Sequence, residues 1–291
     1  MPNYESPALY IDFARLPPPQ VIEELDYEVM LSRYKADVLA KKPELAAALN
    51  LEQSPTNVIL EAEAYGEMLV RARVNAAARA VMLAFSTGTD LDHLAALLNV
   101  ERLPGELDES LRRRAQLAPE ALSTAGSEGA YIFQALTADP TIRDVSAVKI
   151  NEKGGVRITV MNSGSDPIPT KQQLLNVYER LNRKNIRPLT DVITVAPVKV
   201  LRVDIVANVT FYPGPDSALI MTDISKALTK VRDRISLIGR DLTRSALISA
   251  LNQEGVQSVE LISPAENIPA SSEQCVLINS ATITPIAKRA E

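Results

Sequence analysis

The longest uninterrupted helical pattern in the chain is NVILEAEAYGEMLVRARVNAAARAVMLAF, residues 57–85, which contains no proline and a single glycine. Ser54-Pro55 comes shortly before it. A serine N-cap with proline at the first helical position is typical of a helix start. At about 1.5 Å of rise per residue, the segment predicts a rod roughly 40 Å long.

One face of this predicted helix carries only small and aliphatic side chains. These are Ile59, Ala62, Leu69, Ala72, Ala76, Ala80 and Leu83. Further apolar residues, such as Val58, Val70 and Val74, fall outside that face. A helix that is apolar around so much of its circumference needs cover on more than one side. We therefore expect the seven residues to lie in a helical bundle shared with other protein chains.

Helical periodicity continues on both sides of this segment and predicts a helical domain over residues 20–138. A first helix is expected from about Gln20, where acidic residues enrich the first turn and suit the helix dipole. Gly88 is expected to end the long helix, and Thr89 to cap the next one. Residues 1–19 end in three prolines, which favour an extended arm that orders against a neighbour, with a frayed terminus as the alternative.

Beyond residue 138 the hydrophobic period changes from helical to alternating. Two strands around a Gly154-Gly155 turn predict a β-hairpin, followed by a helix and a third strand. A second strand–helix–strand pattern then begins with an alternating strand from Leu201 to Phe211. We therefore predict an α+β fold with two small α+β domains, residues 139–198 and 199–291, after the helical region.

The composition narrows the classes of function. The chain has 291 residues, a net charge of −5 and no tryptophan, and a mildly acidic surface disfavours broad binding to nucleic acid. The one dense basic run, Arg112-Arg113-Arg114, is interpreted as a solvated helix end. No stretch has the length of a membrane span, and the first residues lack the pattern of a secretory signal. We expect the chain to reside in a reducing cytoplasm.

Candidate catalytic and metal-binding residues are few. The chain has one histidine, His93, and one cysteine, Cys275, so neither a disulfide within the chain nor a cysteine-based zinc site is possible. Asp90 and Asp92 flank His93, but acidic residues are expected in the first turn of a helix for dipole reasons alone. We predict no catalytic residue, metal or cofactor. A cell-wall hydrolase using Asp90, Asp92 and His93 is the enzymatic alternative, which a zymogram of substituted variants would test.

A series of short structural motifs occurs along the chain. The motifs are LPPPQ (16–20), GTDLDHLA (88–95), LNVER (98–102), LRRRA (111–115), LSTAGS (122–127), Tyr131, RPLTD (187–191) and YPGP (212–215). Each motif is modest by itself, but their order and spacing resemble the baseplate assembly protein J family of contractile-tailed phages and phage-tail-like particles such as R-type bacteriocins. The resemblance extends from Leu16 to Thr284.

The resemblance implies a structural wedge subunit of a contractile-tail baseplate. Such a subunit would pair with a second copy, bind a smaller protein I-type baseplate subunit and a lysozyme-like wedge protein, and close a ring around the tail hub. Contact with the hub, spike and sheath would be indirect, and the ring would couple receptor engagement to sheath contraction. The subunit would assemble in the host bacterial cytoplasm and leave in the baseplate of the released virion or tail-like particle.

Within that picture we assign ring contacts to the second α+β domain and hinges to two joints between domains. The hinge residues are Pro140 and Pro197. The ring-contact residues are Leu201, Val203, Ile205, Val231 and Ile235. A transient tail-assembly chaperone is the alternative function, and the presence or absence of the chain in mature particles separates the two.

Overall fold

The computed structural model describes residues 11, 13, 16–17, 19–122, 126–150, 154–212 and 217–286. Helices dominate the first half of these residues and two three-stranded sheets occupy the second, which confirms the predicted α+β class. The helices are α1 (Tyr27–Lys41), α2 (Ala46–Leu49), α3 (Pro55–Ala80), α4 (Gly88–Leu97), α5 (Asp108–Ala121), α6 (Glu128–Leu136), α7 (Lys171–Leu181), α8 (Ser217–Ile235) and α9 (Arg244–Leu251). The strands are β1 (Ile142–Lys149), β2 (Gly155–Asn162), β3 (Val192–Pro197), β4 (Lys199–Phe211), β5 (Val256–Ser263) and β6 (Gln274–Ile286).

The first helix begins later than predicted, at Tyr27 rather than near Gln20. The Asp26 carboxylate accepts hydrogen bonds from the backbone N–H groups of Glu28 and Val29, so it is the N-cap. The backbone of Glu23 makes no helical hydrogen bond among the described residues. Its N–H donates to the Asn75 side chain in α3, and its carbonyl accepts a hydrogen bond from the same side chain. The acidic first turn inferred from the sequence is therefore a non-helical segment attached to the long helix.

The long helix α3 exists as predicted but ends at Ala80, before the expected end at Phe85. Ser54 is its N-cap, since the Ser54 hydroxyl accepts the Asn57 N–H at 3.1 Å. Gly88, predicted to terminate this helix, is instead the first residue of α4. The turns that separate α3 from α4 include hydrogen bonds from the N–H groups of Phe85 and Ser86 to the carbonyl of Met82.

The first sheet has the order β1-β2-β3, and the hairpin predicted around Gly154-Gly155 joins β1 to β2 in antiparallel fashion. Helix α7 then carries the chain to β3, which lies parallel to β2. The N-terminus of α7 has a complete capping box, in which the side chains of Thr170 and Gln173 each accept a hydrogen bond from the other residue's backbone N–H. The predicted strand–helix–strand unit is thus confirmed.

The second sheet has the order β5-β4-β6, with β4 antiparallel to β5 and parallel to β6. Alternate residues of β4 face inward, where Ile205, Ala207 and Val209 are fully buried. Helices α8 and α9 cover that face, and Ile224 and Leu247 belong to the same core. The period-2 pattern of β4 therefore corresponds to one packed face and one face towards water.

The described chain separates into two compact units, one of residues 11–97 and the other beginning at Leu98. The second unit holds α5 and α6 together with both sheets, and α6 packs on β1. The helical domain predicted over residues 20–138 therefore contributes elements to both units. Within the second unit the two sheets are joined by a small buried cluster of Met161, Val198, Ile238 and Cys275.

Candidate functional site

The most unusual surface of the first unit is the side of α3 that faces away from α1. Only three residues of this 26-residue helix are buried, namely Asn57, Ala64 and Asn75. On the other side Leu69 is 50% exposed and Ile59 is 67% exposed. Large apolar side chains are normally buried when they lie this close together, so a contiguous exposed set marks an interaction surface.

A regular stripe runs along this exposed side. Its spacings alternate between four and three residues, and we call it the α3 stripe: Val58, Ala62, Tyr65, Leu69, Ala72 and Ala76. All six residues are exposed and none is charged. Spacings that alternate between three and four residues keep side chains on one face of a helix, as in the seam of a coiled coil. The surface is therefore shaped to receive another helix along its length.

The residues predicted from sequence for a helical bundle lie largely on this surface. Ile59, Ala62, Leu69, Ala72 and Ala76 are exposed, whereas Ala80 and Leu83 are partly buried. Their engagement with another chain stays a prediction. The structure adds the physical reason for it, because α1 covers only the opposite side of α3.

Ion pairs hold α1 and the preceding segment against α3. Arg71 bridges Glu67 at 2.7 Å and Glu23 at 2.6 Å, and Arg33 of α1 pairs with Glu67 at 2.5 Å. Hydrogen bonds from Arg33, Tyr34 and Arg71 lower the pKa of Glu67 to about 2. These charges lie on the α1 side, so the α3 stripe itself is left apolar.

The basic run of α5 is not the solvated helix end that its sequence predicts, and that prediction is wrong. The Arg114 side chain is 3% exposed and forms a two-pronged pair with Glu106, both N–O distances being 2.7 Å. Arg114 also donates to the Glu101 carbonyl, and the Leu103 N–H donates to Glu106. A buried arginine requires a carboxylate and further acceptors, and this loop supplies them.

Arg113 has a second structural role. It pairs with Asp144 of β1, which is buried and also accepts the N–H of Ile238 at 2.8 Å from beyond α8. One carboxylate thereby connects α5, the first sheet and the second α+β domain. A sequence signal for the burial of this run was available, because Arg114 lies on the same helical face as the buried Leu111 and Ala118.

The residues predicted for ring contacts lie mostly inside the second α+β domain. Val203, Ile205, Val231 and Ile235 are buried in its core, and Leu201 packs against that core while partly exposed. Side chains that fill a domain's own core are not available to another subunit. Contacts made by this domain would use its outer residues, and ring formation itself stays a prediction.

The predicted hinges lie in hydrogen-bonded connections. Pro197 ends β3 opposite Val160, and the N–H of the following Val198 donates to the Val160 carbonyl at 3.0 Å. Next to Pro140, the Asp139 carboxylate accepts hydrogen bonds from the N–H of Thr141 and from the side chain of Asn176. Hinge motion at either proline stays a prediction, and it would require these bonds to break.

The structure places the residues considered for catalysis or metal binding on two elements, α4 and β6. His93 and Asp90 are exposed on α4, and no cluster of three metal-ligating side chains occurs among the described residues. Cys275 is 1% exposed, and burial raises the pKa of its thiol to about 11. Within the described ranges no helix combines the length and apolarity needed to cross a membrane.

Two residues of the segments that carry the family resemblance meet in the fold. The buried Tyr131 of α6 donates a hydrogen bond to Asp191 at 2.6 Å, just before β3. Burial, followed by this bond, raises the pKa of the tyrosine. Two residues of the quoted motifs therefore form a contact that ties α6 to the first sheet.

Family models match three successive parts of the chain, and they agree with this architecture. The Baseplate J-like N-terminal domain matches residues 52–104, the central domain matches 123–197, and the C-terminal domain matches 203–284. The first match contains α3 and α4, the second contains the first sheet, and the third contains the second sheet except for the start of β4 and the end of β6. The chain belongs to the Baseplate J-like family, and membership supports a structural role in a phage baseplate.

A particular relative extends the comparison to nearly the whole length. The chain is 38% identical over 284 residues to baseplate protein J of Escherichia phage P2, covering 91% of this chain and 94% of that protein. The family predicted from the quoted motifs is thus confirmed.

Proposed function

We propose that this protein is a wedge subunit of a contractile-tail baseplate, which pairs with a second copy and joins other baseplate proteins in a ring around the tail hub. The α3 stripe is the observation that carries the proposal, because it is an uncharged helical seam whose six residues are exposed in the described part of the chain. Similarity to a phage baseplate protein over nearly the whole chain supports the same role. The companions we propose are a protein I-type subunit and a lysozyme-like wedge protein.

The assembly step follows from the chemistry of the stripe. Its centre combines the small residues Ala62 and Ala72, which allow close approach of a second helix, with the larger Tyr65 and Leu69. Covering such a seam removes apolar surface from water, which stabilises the association by about 25 cal/mol for each Å² buried. Ile59 and Val70 lie outside the stripe and are also exposed, so a bundle of several helices is the expected arrangement.

Substitution in the stripe tests the proposal. Leu69→Glu places a charge in the centre of the seam, and we expect the variant to be nearly absent from tail particles. Its thermal unfolding as an isolated chain should be nearly unchanged, because Leu69 is already 50% exposed. Leu189→Glu is the matched control, since Leu189 is fully exposed in the second unit. Normal particles containing the Leu69→Glu chain would contradict the bundle.

The ring and the trigger belong to the two α+β domains, residues 139–291, in this proposal. A ring of identical chains can adopt two packing arrangements, one in the closed and one in the opened baseplate. Receptor engagement outside the cell would switch the ring between them and so start sheath contraction. A chain truncated after residue 138 should fail to complete rings in electron micrographs, while a complete ring from that truncation would refute the assignment. The particle would assemble in the bacterial cytoplasm and be released with this subunit in its baseplate.

The proposed role involves no reaction. A zymogram on bacterial cell walls should show no clearing by this protein. Clearing that disappears on substitution of His93 would support the hydrolase alternative instead.

A further inference from the structure

A cavity of about 460 Å³ lies in the second unit between α5, β1 and the loop that follows α8. Part of its wall is apolar, from Leu107, Leu136, Ile142 and Leu237. Leu107 is 75% exposed, so the apolar wall opens to solvent. A cavity of this volume can accept one or two side chains of another polypeptide.

The charged groups that line the same cavity fall into two classes. Arg114 and Arg113 are neutralised, by Glu106 and Asp144 respectively. Glu109 is 85% exposed and pairs with an arginine of its own helix. These groups stabilise the walls and leave no charge to be satisfied.

Arg143 and Arg240 form the second class. Neither guanidinium makes a hydrogen bond or an ion pair with another described side chain, although both line the cavity. Arg143 is half-buried, and its carbonyl is held by Arg113 at 2.8 Å, which fixes the base of the side chain. Asp233, which is exposed, is the remaining acid that lines the cavity. Two cations therefore stand against one uncompensated carboxylate.

We infer that this cavity binds a segment of a partner baseplate polypeptide in which an Asp or Glu side chain is adjacent to an apolar one. The inference rests on the proposed function, since it names the chemistry of one contact within the baseplate. A guanidinium presents a planar fork that matches a carboxylate, and the adjacent leucines would hold the neighbouring apolar side chain. Arg143 is half-buried beside these apolar groups, whereas Arg240 is exposed. An arginine beside apolar groups in a partly desolvated pocket is a common centre of binding energy in protein interfaces.

The test is a competition within assembled particles. Wild-type chain and the double variant Arg143→Gln, Arg240→Gln are co-expressed at equal levels, and their ratio in purified tail particles is measured by mass spectrometry. We expect about tenfold or greater depletion of the variant, as is usual when one partner of an interfacial charge pair is removed. The matched control is Arg183→Gln with Arg234→Gln, two exposed arginines that do not line the cavity.

Two further measurements test whether the double variant is misfolded and whether Asp233 is itself the partner of the two arginines. Thermal unfolding of the isolated double variant should match wild type, because neither guanidinium has a described partner to lose. Asp233→Asn should incorporate at parity or better, since it removes the one uncompensated carboxylate among the described residues that line the cavity. Depletion of Asp233→Asn would indicate that Asp233 is itself the partner of the arginines and would overturn the inference.

The ligand is identified by photocrosslinking from benzoylphenylalanine at position 107 in whole particles. The expected product is a peptide of another baseplate protein with Asp or Glu next to an apolar residue. Replacing that acid by Arg should restore incorporation of Arg143→Glu. A crosslink to nucleic acid, a peptide without an acid, or parity of the double variant would each refute the inference. Absence of the wild-type chain from particles would instead refute the proposed function.

Discussion

The buried pair of Arg114 and Glu106 allows a quantitative test of how the second unit is held together. Glu106→Gln keeps the shape of the side chain and removes its charge, leaving a guanidinium that is only 3% exposed without a counterion. Breaking a buried ion pair from one side typically costs about 3–5 kcal/mol of unfolding free energy. Among the described residues Arg114 would retain only neutral acceptors, the Glu101 carbonyl and the Thr137 hydroxyl.

The double variant Glu106→Gln, Arg114→Met gives the comparison that isolates the charge. Replacing both members of a buried pair is often nearly neutral, so we expect the double variant to be more stable than Glu106→Gln alone. Glu109→Gln is the matched control for charge removal. Its exposed pair with Arg112 should contribute less than about 1 kcal/mol.

Urea unfolding followed by circular dichroism gives the free energies, and hydrogen exchange of α5 amides localises the loss to this unit. Since the chain has two compact units, the local exchange measurement decides which unit has been weakened. Equal stability of Glu106→Gln and Glu109→Gln would refute the reasoning. So would a double variant that is less stable than Glu106→Gln alone.

Three further predictions concern other parts of the chain. The pKa of Glu67 is lowered to about 2 in the folded chain, so the stability that this carboxylate contributes is complete above its ordinary pKa near 4.5 and is lost as the pH falls towards 2. Glu67→Gln should therefore flatten the pH dependence of the unfolding free energy between these values, and an unchanged curve would contradict this. Cys275 should resist iodoacetamide at about pH 8 until the chain is unfolded in urea, and rapid labelling of the native protein would contradict its burial. Ile205→Ala should cost about 2–5 kcal/mol, whereas Ile59→Ala, at a site 67% exposed, should change the isolated chain by less than about 0.5 kcal/mol; equal losses would contradict the assignment of core and surface.

Elements with a strong local signature were predictable from the sequence. The alternation from Leu201 to Phe211 gives β4, and the serine–proline start gives α3. Period and capping act over a few residues, so they can be recognised without knowing the fold. The ends of elements were less predictable, as at Phe85, because the last turn of a helix depends on what it packs against.

The excess of apolar surface on α3 was also determined by the sequence alone. No arrangement of one partner helix covers residues spread around most of a helix, and the structure leaves Val58, Leu69 and Val74 exposed. The family, too, could be recognised from its motifs, since their order and spacing persist along the chain. Neither conclusion required knowledge of a long-range contact.

The tertiary structure alone decided which charges are buried and which apolar residues belong to the domain core. Arg114 and Arg113 are adjacent in a basic run, yet one pairs with a carboxylate eight residues earlier and the other with Asp144, 31 residues later. Asp144 in turn accepts an N–H from a residue 94 positions away. Such pairings depend on how distant segments approach one another, and no local propensity encodes that approach. For the same reason Ile205 could not be assigned to core or interface until β4, α8 and α9 had been assembled.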